Sequence, residues 1–515
     1  MHTAEIVLGL LVLASVVASF ADRLSLPAPS LLVLAGLGVG LIPGVPTVHV
    51  TPEIVSLVVL PPLLYAAAVD VVIADLRAVL RPVAALAVGL VGASAVVVAV
   101  VIHLFVPDIS IQLGLVLGAA LASTDPVAVS ALARRLHLPP RLLALVQGES
   151  LLNDATSLLL FRVVVSGVVA GHFAAPGHVV LQFLGLGFGG AAIGLGCAFV
   201  VSHLHRRTDD TVIEAVISLL TPYAIFVVAE VAHTSGVTAV VFGGLYLSRR
   251  RYEFSRGPAR LQIGHIYDVA VFLLEGAVFA IIGLQLPDLV RELPAAEHDF
   301  VLVSLAITGA LLAARVVWVA GATFLPGLSE ASADPRGRQR SRVIAVTSWA
   351  GTRGVIPLAA ALSIPLTVDS GAAFPHRELL VVLATTCTAI TLVVQGLTLR
   401  PVVRRAGLVS DPRVRTHEEA IARHAALEAA EARLDELQNV AAASPEAVAW
   451  LRRELQQRTQ LAGAAGEEVH ALRRELIGAE SERLRQLVDA GEISEAVRRK
   501  VQRMLDLDEA RSSDD

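Results

Sequence analysis

"SWAGTRGVIPLAAA", residues 348–361, sets Arg353 between Gly351 and Gly354, with Pro357 one turn further on, inside an otherwise apolar run. A proline in a helix interior removes a backbone hydrogen bond and kinks or breaks the helix. "LASTDPVAVS", residues 121–130, repeats the device with the opposite charge, Asp125 standing directly before Pro126. What these interruptions mean depends on the solvent around them.

That solvent is hydrocarbon. Of 515 residues, 55% are hydrophobic and only 17% charged, and the mean hydropathy is +0.69, a composition foreign to soluble globular domains. The apolar residues gather into runs of roughly 15 to 25, the length that crosses a hydrocarbon core about 30 Å thick. Thirteen spans are predicted, at 4–20, 29–43, 53–69, 83–105, 112–133, 141–170, 178–202, 211–231, 235–248, 266–284, 299–324, 341–363 and 378–400. Because 29–43 and 235–248 are short, twelve or fourteen stay open. The fold class expected is all-α, a polytopic membrane protein in two inverted repeats with a helical tail.

Arginine placement tests the count, since short cytoplasmic loops carry an excess of positive charge. With the C-terminus inside, the inner loops hold seventeen arginines: Arg23; Arg77 and Arg81; Arg134, Arg135 and Arg141; Arg206 and Arg207; Arg249, Arg250, Arg251, Arg256 and Arg260; Arg336, Arg338, Arg340 and Arg342. The outer loops hold two, Arg291 and Arg377. The alternation favours thirteen spans with the N-terminus outside, in a cell membrane. "MHTAEIVLGLLVLASVVASFADRL" has no Lys or Arg before its long apolar run, so it reads as a retained helix rather than a cleaved signal. Cys197 and Cys387 fall in apolar spans and read as packing thiols.

Residues 1–408 therefore form the expected transmembrane domain, and 409–515, rich in Ala, Glu, Arg, Leu and Gln, a helical cytoplasmic tail. Ser444, Pro445 and Glu446 look like a helix start, and Ser494 repeats the cap after Gly491. The charge runs of the tail read as solvated faces. A net charge of −5 without a basic face outside the loops argues against nucleic acid.

Ionisable groups inside spans cost about 2.5–3.5 kcal/mol each, so they face one another, a cavity or a pathway. They are Asp125, Glu149, Asp154, Arg162, Glu230, Glu275, Arg315 and Arg353; Arg162, and Glu214 near a helix start, reach toward an interface instead. Glu230 and Glu275 read as structural. The interrupted spans are the fifth and the twelfth, and if spans 1–6 and 8–13 are repeats, each is fifth in its half. Broken helices at matching positions place a transport site near the bilayer midplane. Half-helix ends carry partial charges, so the two breaks are expected to cross with Asp125 and Arg353 neutralising the ends; simple Pro and Gly kinks are the alternative.

"GESLLNDATSLLLF", residues 148–161, lies in the span after the first break. At about 100° per residue, Glu149 and Asn153 share one helix face and Ser150, Asp154 and Ser157 a neighbouring one. A lone buried acid is commonly a structural partner. Asp154, however, has hydroxyls and an amide beside it and a broken helix next door, an oxygen-rich setting that suits hard cations such as Na+.

"ASTDPVAV", "GESLLNDA", "FAIIGLQL" and "WAGTRGVIPLA", in that order, resemble the signatures of the monovalent cation/proton antiporters, in the electroneutral branch with an Asn-Asp pair; "ADRLSLPAPSLLVLAGLGVGLIPG" and "LPPLLYAAA" are similar to its early helices. The resemblance covers about residues 5–405. It implies that Asp154 binds cation and proton in turn, beside Asn153, and that Thr124, Asp125 and Ser150 line the site, Asp154, Ser150 and Thr124 being oxygen ligands of Na+. It further implies a Glu149–Arg315 pair, a homodimer and elevator-like motion. No cofactor is implied beyond the transported Na+ and H+, and no enzyme activity. Where some members carry an acid on the third span this chain has Ala66, with Asp70 four residues later, which leaves the choice among Na+, Li+ and K+ open.

One shielded carboxylate that hosts either a proton or a cation gives coupled exchange, electroneutral if one Na+ replaces one proton. K+/H+ exchange, a channel-like leak, and a membrane sensor signalling through its tail are the competing readings. "GLGFGG", with Gly185, Gly187 and Gly190, fits a nucleotide-binding pattern, but inside a span it reads as helix packing through small residues.

Overall fold

The computed structural model describes residues 28–43, 55–125, 140–172, 175–208, 210–254, 257–291, 299–322 and 338–407, with shorter stretches before residue 22 and after residue 423. Pro126 and the rest of the fifth span, several inner-loop arginines, and Ser444, Glu446, Gly491 and Ser494 of the tail lie outside the described residues. The chain divides into two compact units, Met1–Val409 and Ser410–Asp515.

The first unit is built from α1 (Ala28–Gly40), α2 (Leu60–Asp70), α3 (Leu80–Phe105), α4 (Ile111–Leu121), α5 (Pro140–Val169), α6 (Pro176–His205), α7 (Thr211–Val231), α8 (Gly236–Phe254), α9 (Gly257–Arg291), α10 (Phe300–Ala322), α11 (Arg338–Trp349), α12 (Val355–Leu362) and α13 (Arg377–Ala406). Seven of these, α3, α5, α6, α7, α9, α10 and α13, are long and apolar enough to cross a membrane, and α1 and α4 are shorter apolar helices. Among the described residues the sole extended pairing is one bridge, Thr367 to Ala373. The span predicted at 341–363 is two helices, α11 and α12, divided at residues 350–354. The span predicted at 112–133 stops being helical after Leu121. Both interruptions fall where the Gly, Pro and charged residues stand.

Local chemistry sets the ends. Ser110 Oγ accepts the Leu113 N–H to open α4, and Asp210 Oδ1 accepts from Val212 and Ile213 to open α7. α13 ends at Gly407, whose φ of 61° is a conformation glycine adopts without strain. In α3 the turn widens to π-helical over Ala85–Leu90, where Trp318 Nε1 donates to the Ala85 carbonyl at 3.0 Å.

Small residues let helices pack backbone to backbone. Gly36 of α1 lies on Ala280 of α9, and Gly190 of "GLGFGG" lies on the Ser235 carbonyl before α8, leaving no room for a Cβ. These glycines serve helix packing. Many large apolar side chains on α6 and α7, such as Phe188 and Leu220, point outward, as a lipid-facing surface requires. α5 packs instead against α3, α4 and α8 at the centre, and Glu149, Asn153 and Asp154 are buried there.

In the second unit, helical segments at 427–436 and 448–453 carry the Arg452–Asp435 ion pair at 2.5 Å, with Leu434 and Val448 buried.

Candidate functional site

The two breaks cross. The Asp125 N–H donates to the Thr352 carbonyl at 2.7 Å, and Thr352 Oγ1 donates to the Asp125 carbonyl at 3.0 Å. Around this stitch the charges complement the helix ends. Arg353 Nη1 donates to the carbonyls of Ala122 at 3.1 Å and Ser123 at 2.8 Å, placing a cation at the partly negative C-terminal end of α4. The Asp125 carboxylate lies against Gly354, where a Cβ would overlap it, immediately before α12; an anion thus meets a partly positive N-terminal end. Arg377 performs the matching service at the far end of α12, donating to Ile364 O at 2.9 Å and Leu362 O at 3.3 Å, which gives this arginine a structural task.

α5 supplies the remaining polar groups. Glu149 accepts both arms of Arg315, at 2.5 and 2.9 Å, and Arg315 also donates to the Thr347 carbonyl from Nε at 3.2 Å and Nη2 at 3.0 Å. Bidentate pairing with further hydrogen bonds is what a buried ion pair needs. Gly351 makes room for it, since its missing side chain would strike the Arg315 guanidinium.

Asp154, five residues on, has a different partner. Its Oδ1 accepts from Ser123 Oγ at 2.5 Å. It is 6% exposed, and among the described residues no basic side chain pairs with it. Asn153 Nδ2 donates to Thr124 Oγ1 at 2.6 Å, the Thr124 N–H returns to Asn153 Oδ1 at 3.4 Å, and Ser150 Oγ donates to the Thr124 carbonyl at 2.5 Å. Ser157 Oγ donates to the Ala119 carbonyl at 2.7 Å.

Asp154, Asn153, Ser150, Thr124 and Asp125 thus gather at one crossing, with Glu149, Arg315 and Arg353 beside it. The grouping within α5 differs from the two-face reading: Asn153 parts from Glu149 and joins Ser150 on Thr124, because residues three apart share a helix face as readily as residues four apart. Ser123 was not singled out in the sequence. A serine beside Thr124 and Asp125 carries no signal of its own, and only a count of potential donors to Asp154 would have found it. Glu275 of α9 lies within electrostatic range of Asp125. Arg162 pairs with Glu230 at 2.8 Å and reaches the Thr234 carbonyl at 3.1 Å, while Glu230 also accepts the Gly236 N–H at 3.1 Å. That cluster ties α5 to the turn between α7 and α8.

Two helix interruptions that meet beside a buried carboxylate are the arrangement of a secondary transporter of the helical, multi-pass membrane class. More particularly, the chain belongs to the sodium/hydrogen exchanger family, whose transmembrane description matches residues 10–405; this is a family of transporters rather than enzymes. The chain is 35% identical over 474 residues to Rv2287 of Mycobacterium tuberculosis, described as an uncharacterized Na+/H+ exchanger, covering 90% of this chain and 86% of the relative. It is 31% identical to a sodium, potassium, lithium and rubidium/H+ antiporter of Bacillus pumilus, over 77% of this chain and 61% of that one. The structure of the sodium proton antiporter MjNhaP1 from Methanocaldococcus jannaschii superposes with a TM-score of 0.64 at 19% identity, over 79% of this chain and 99% of that one, a likeness of fold.

Proposed function

We propose that this protein exchanges Na+ or Li+ for H+ across the cell membrane by alternating access, with cation and proton competing for Asp154. The observation that carries the reading is the contrast between two acids on one helix. Glu149 is already neutralised by Arg315, whereas Asp154 is buried with a hydroxyl for company and no base among the described residues. A carboxylate so placed is complete with one positive occupant. The proton converts it to the acid; the cation forms an ion pair, with Ser150, Thr124 and Asn153 supplying neighbouring oxygens. Bare, it carries an uncompensated charge in a low-dielectric interior, so the empty site resists crossing. One cation for one proton leaves net charge unmoved, and exchange is electroneutral. Asp125, Arg353 and the Glu149–Arg315 pair hold the crossing in shape.

In this proposal residues 1–408 are the exchange domain and 409–515 a regulatory cytoplasmic tail. The N-terminus lies outside, and the protein works as a homodimer. Removing the tail after residue 408 keeps exchange and changes its pH response; an unaltered response removes that role.

The main test is proton movement in proteoliposomes on adding Na+, Li+ or K+ separately, for wild type and Asp154→Asn. Na+ and Li+ drive proton flux in wild type only, and raising proton concentration raises the apparent KM for the cation without lowering the maximal rate. Flux that follows an imposed voltage overturns electroneutrality, and flux that survives Asp154→Asn overturns the site. The K+ arm has its own motive, since potassium appears in the name of the Bacillus pumilus relative.

A further inference from the structure

Arg162 and Glu230 take no part in the crossing, yet each is held by more than the other. Arg162 follows Asp154 on α5 by two helical turns, about 12 Å along the axis. Its guanidinium meets Glu230 at 2.8 Å and the Thr234 carbonyl at 3.1 Å. Thr234 comes just after α7, so the cation lies at the partly negative end of that helix. Glu230 accepts the N–H of Gly236, the first residue of α8, where a helix is partly positive. The turn between α7 and α8 is thus a receptor made from two helix ends whose charges match the pair.

That turn is fixed to α6. The Ser235 N–H donates to the Leu186 carbonyl at 3.3 Å, and Gly189 and Gly190 let the chains approach so closely that a Cβ on them would strike Thr234 and Ser235. His233, in the same turn, has a φ of 54°, in the left-handed region that favours glycine; such a residue persists where its surroundings over-determine it. The receptor is rigid, and its guest comes from another helix. α6, α7 and α8 pack on one another, with α2 against α7 and α8, whereas α3, α4, α10 and α13 pack around the two breaks. α5, which carries Asp154, lies between these groups, against α3 and α4 on one side and α6 and α8 on the other.

We propose that Arg162 and Glu230 are a latch of the transport cycle, which when closed holds the end of α5 on the α6–α8 group and favours access to Asp154 from the side opposite the α7–α8 turn. The latch rests on the alternating access proposed above, in which the helices around the breaks shift against α6–α8 to carry Asp154 from one side to the other. A contact of 2.8 Å does not survive a shift of even one helical turn, so the pair opens whenever the opposite arrangement forms. Its partial exposure suits this task. A fully buried pair would hold one arrangement too firmly to cycle, whereas an exposed pair biases the two populations without arresting exchange.

The test is the sidedness of transport by the full chain, measured as the apparent KM for Na+ in right-side-out and in inside-out vesicles. Arg162→Gln lowers the KM on the side of the α7–α8 turn and raises the other, so that their ratio moves about two- to fivefold while flux persists; Arg162→Lys, which keeps the charge, returns most of the wild-type ratio. Glu230→Gln gives the same shift, and the double variant shifts no further than either alone. An unchanged ratio, or shifts that add in the double variant, overturns the latch. A second measurement needs no transport. With Cys197 and Cys387 replaced by alanine, spin labels on cysteines placed at His172, just beyond α5, and at Val231, the exposed end of α7, show a longer-distance population that grows in Arg162→Gln; identical distance distributions overturn the proposal. A wild-type chain that moves no protons on adding Na+ sinks the exchange reading instead, and the label distances still decide the latch.

Discussion

The first break and the second meet at the same crossing but are finished in opposite ways. At the first, Ser123, Thr124, Ser150, Asn153, Asp154 and Ser157 are hydrogen-bonded, most of them to one another. At the second, the fixed charges are Arg353 and Arg315, and the hydroxyls of Thr347, Ser348 and Thr388 have no partner among the described residues. The difference divides the labour. In the proposed cycle the acidic half arrives pre-arranged around the carboxylate that changes its charge, and pre-arranged polar groups need little reorganisation when an ion binds. The basic half supplies charge that does not change, fixing helix ends and cancelling Glu149.

The comparison is broken most severely by Asp154→Asn, which removes the variable charge and reduces cation-driven proton flux to the protein-free background while leaving the fold assembled by size-exclusion profile. Next in size is Glu149→Ala. Arg315 then sits buried and unpaired, a loss of about 3–5 kcal/mol, read as a large drop in thermal midpoint and yield; the double change Glu149→Gln with Arg315→Met regains much of it, and if it does not, the pair has a role beyond charge balance. Ser123→Ala sharpens the contrast within the acidic half. A hydrogen bond to a charged group contributes about 1.5–3 kcal/mol, so the apparent KM for Na+ changes by about tenfold or more with exchange retained; an unchanged KM means that Ser123 leaves Asp154 before the cation arrives. The smallest effect belongs to Arg162→Gln. The Arg162–Glu230 pair is 42% and 36% exposed, and such pairs contribute at most about 1 kcal/mol, so flux persists and the thermal midpoint barely moves.

The fold was legible because its interruptions are written in residue types. Pro357, Gly351 and Gly354 around Arg353 announced a break, and α11 ends and α12 begins there. The crossing was legible only as a pairing of opposite charges. The bonds that make it, from the Asp125 N–H to the Thr352 carbonyl and from Arg353 to the Ala122 and Ser123 carbonyls, run through peptide groups that every residue possesses, so no residue pattern announces them. The Glu149–Arg315 contact spans 166 positions, a separation that local periodicity cannot bridge; it followed from the resemblance. Within α5, angle alone placed Asn153 with Glu149. The position of Thr124 decided otherwise, and that position depends on where the neighbouring helix stops.

The stitch between Asp125 and Thr352 has a consequence for how the protein can be re-engineered. Because its shorter bond is made by main-chain atoms, that one contact survives any change of side chain nearby, and ion preference becomes partly separable from the frame. A library randomised at Ser123, whose side chain bonds Asp154 while its backbone carbonyl holds Arg353, should therefore yield variants of altered alkali-ion preference in which the main-chain contact is kept.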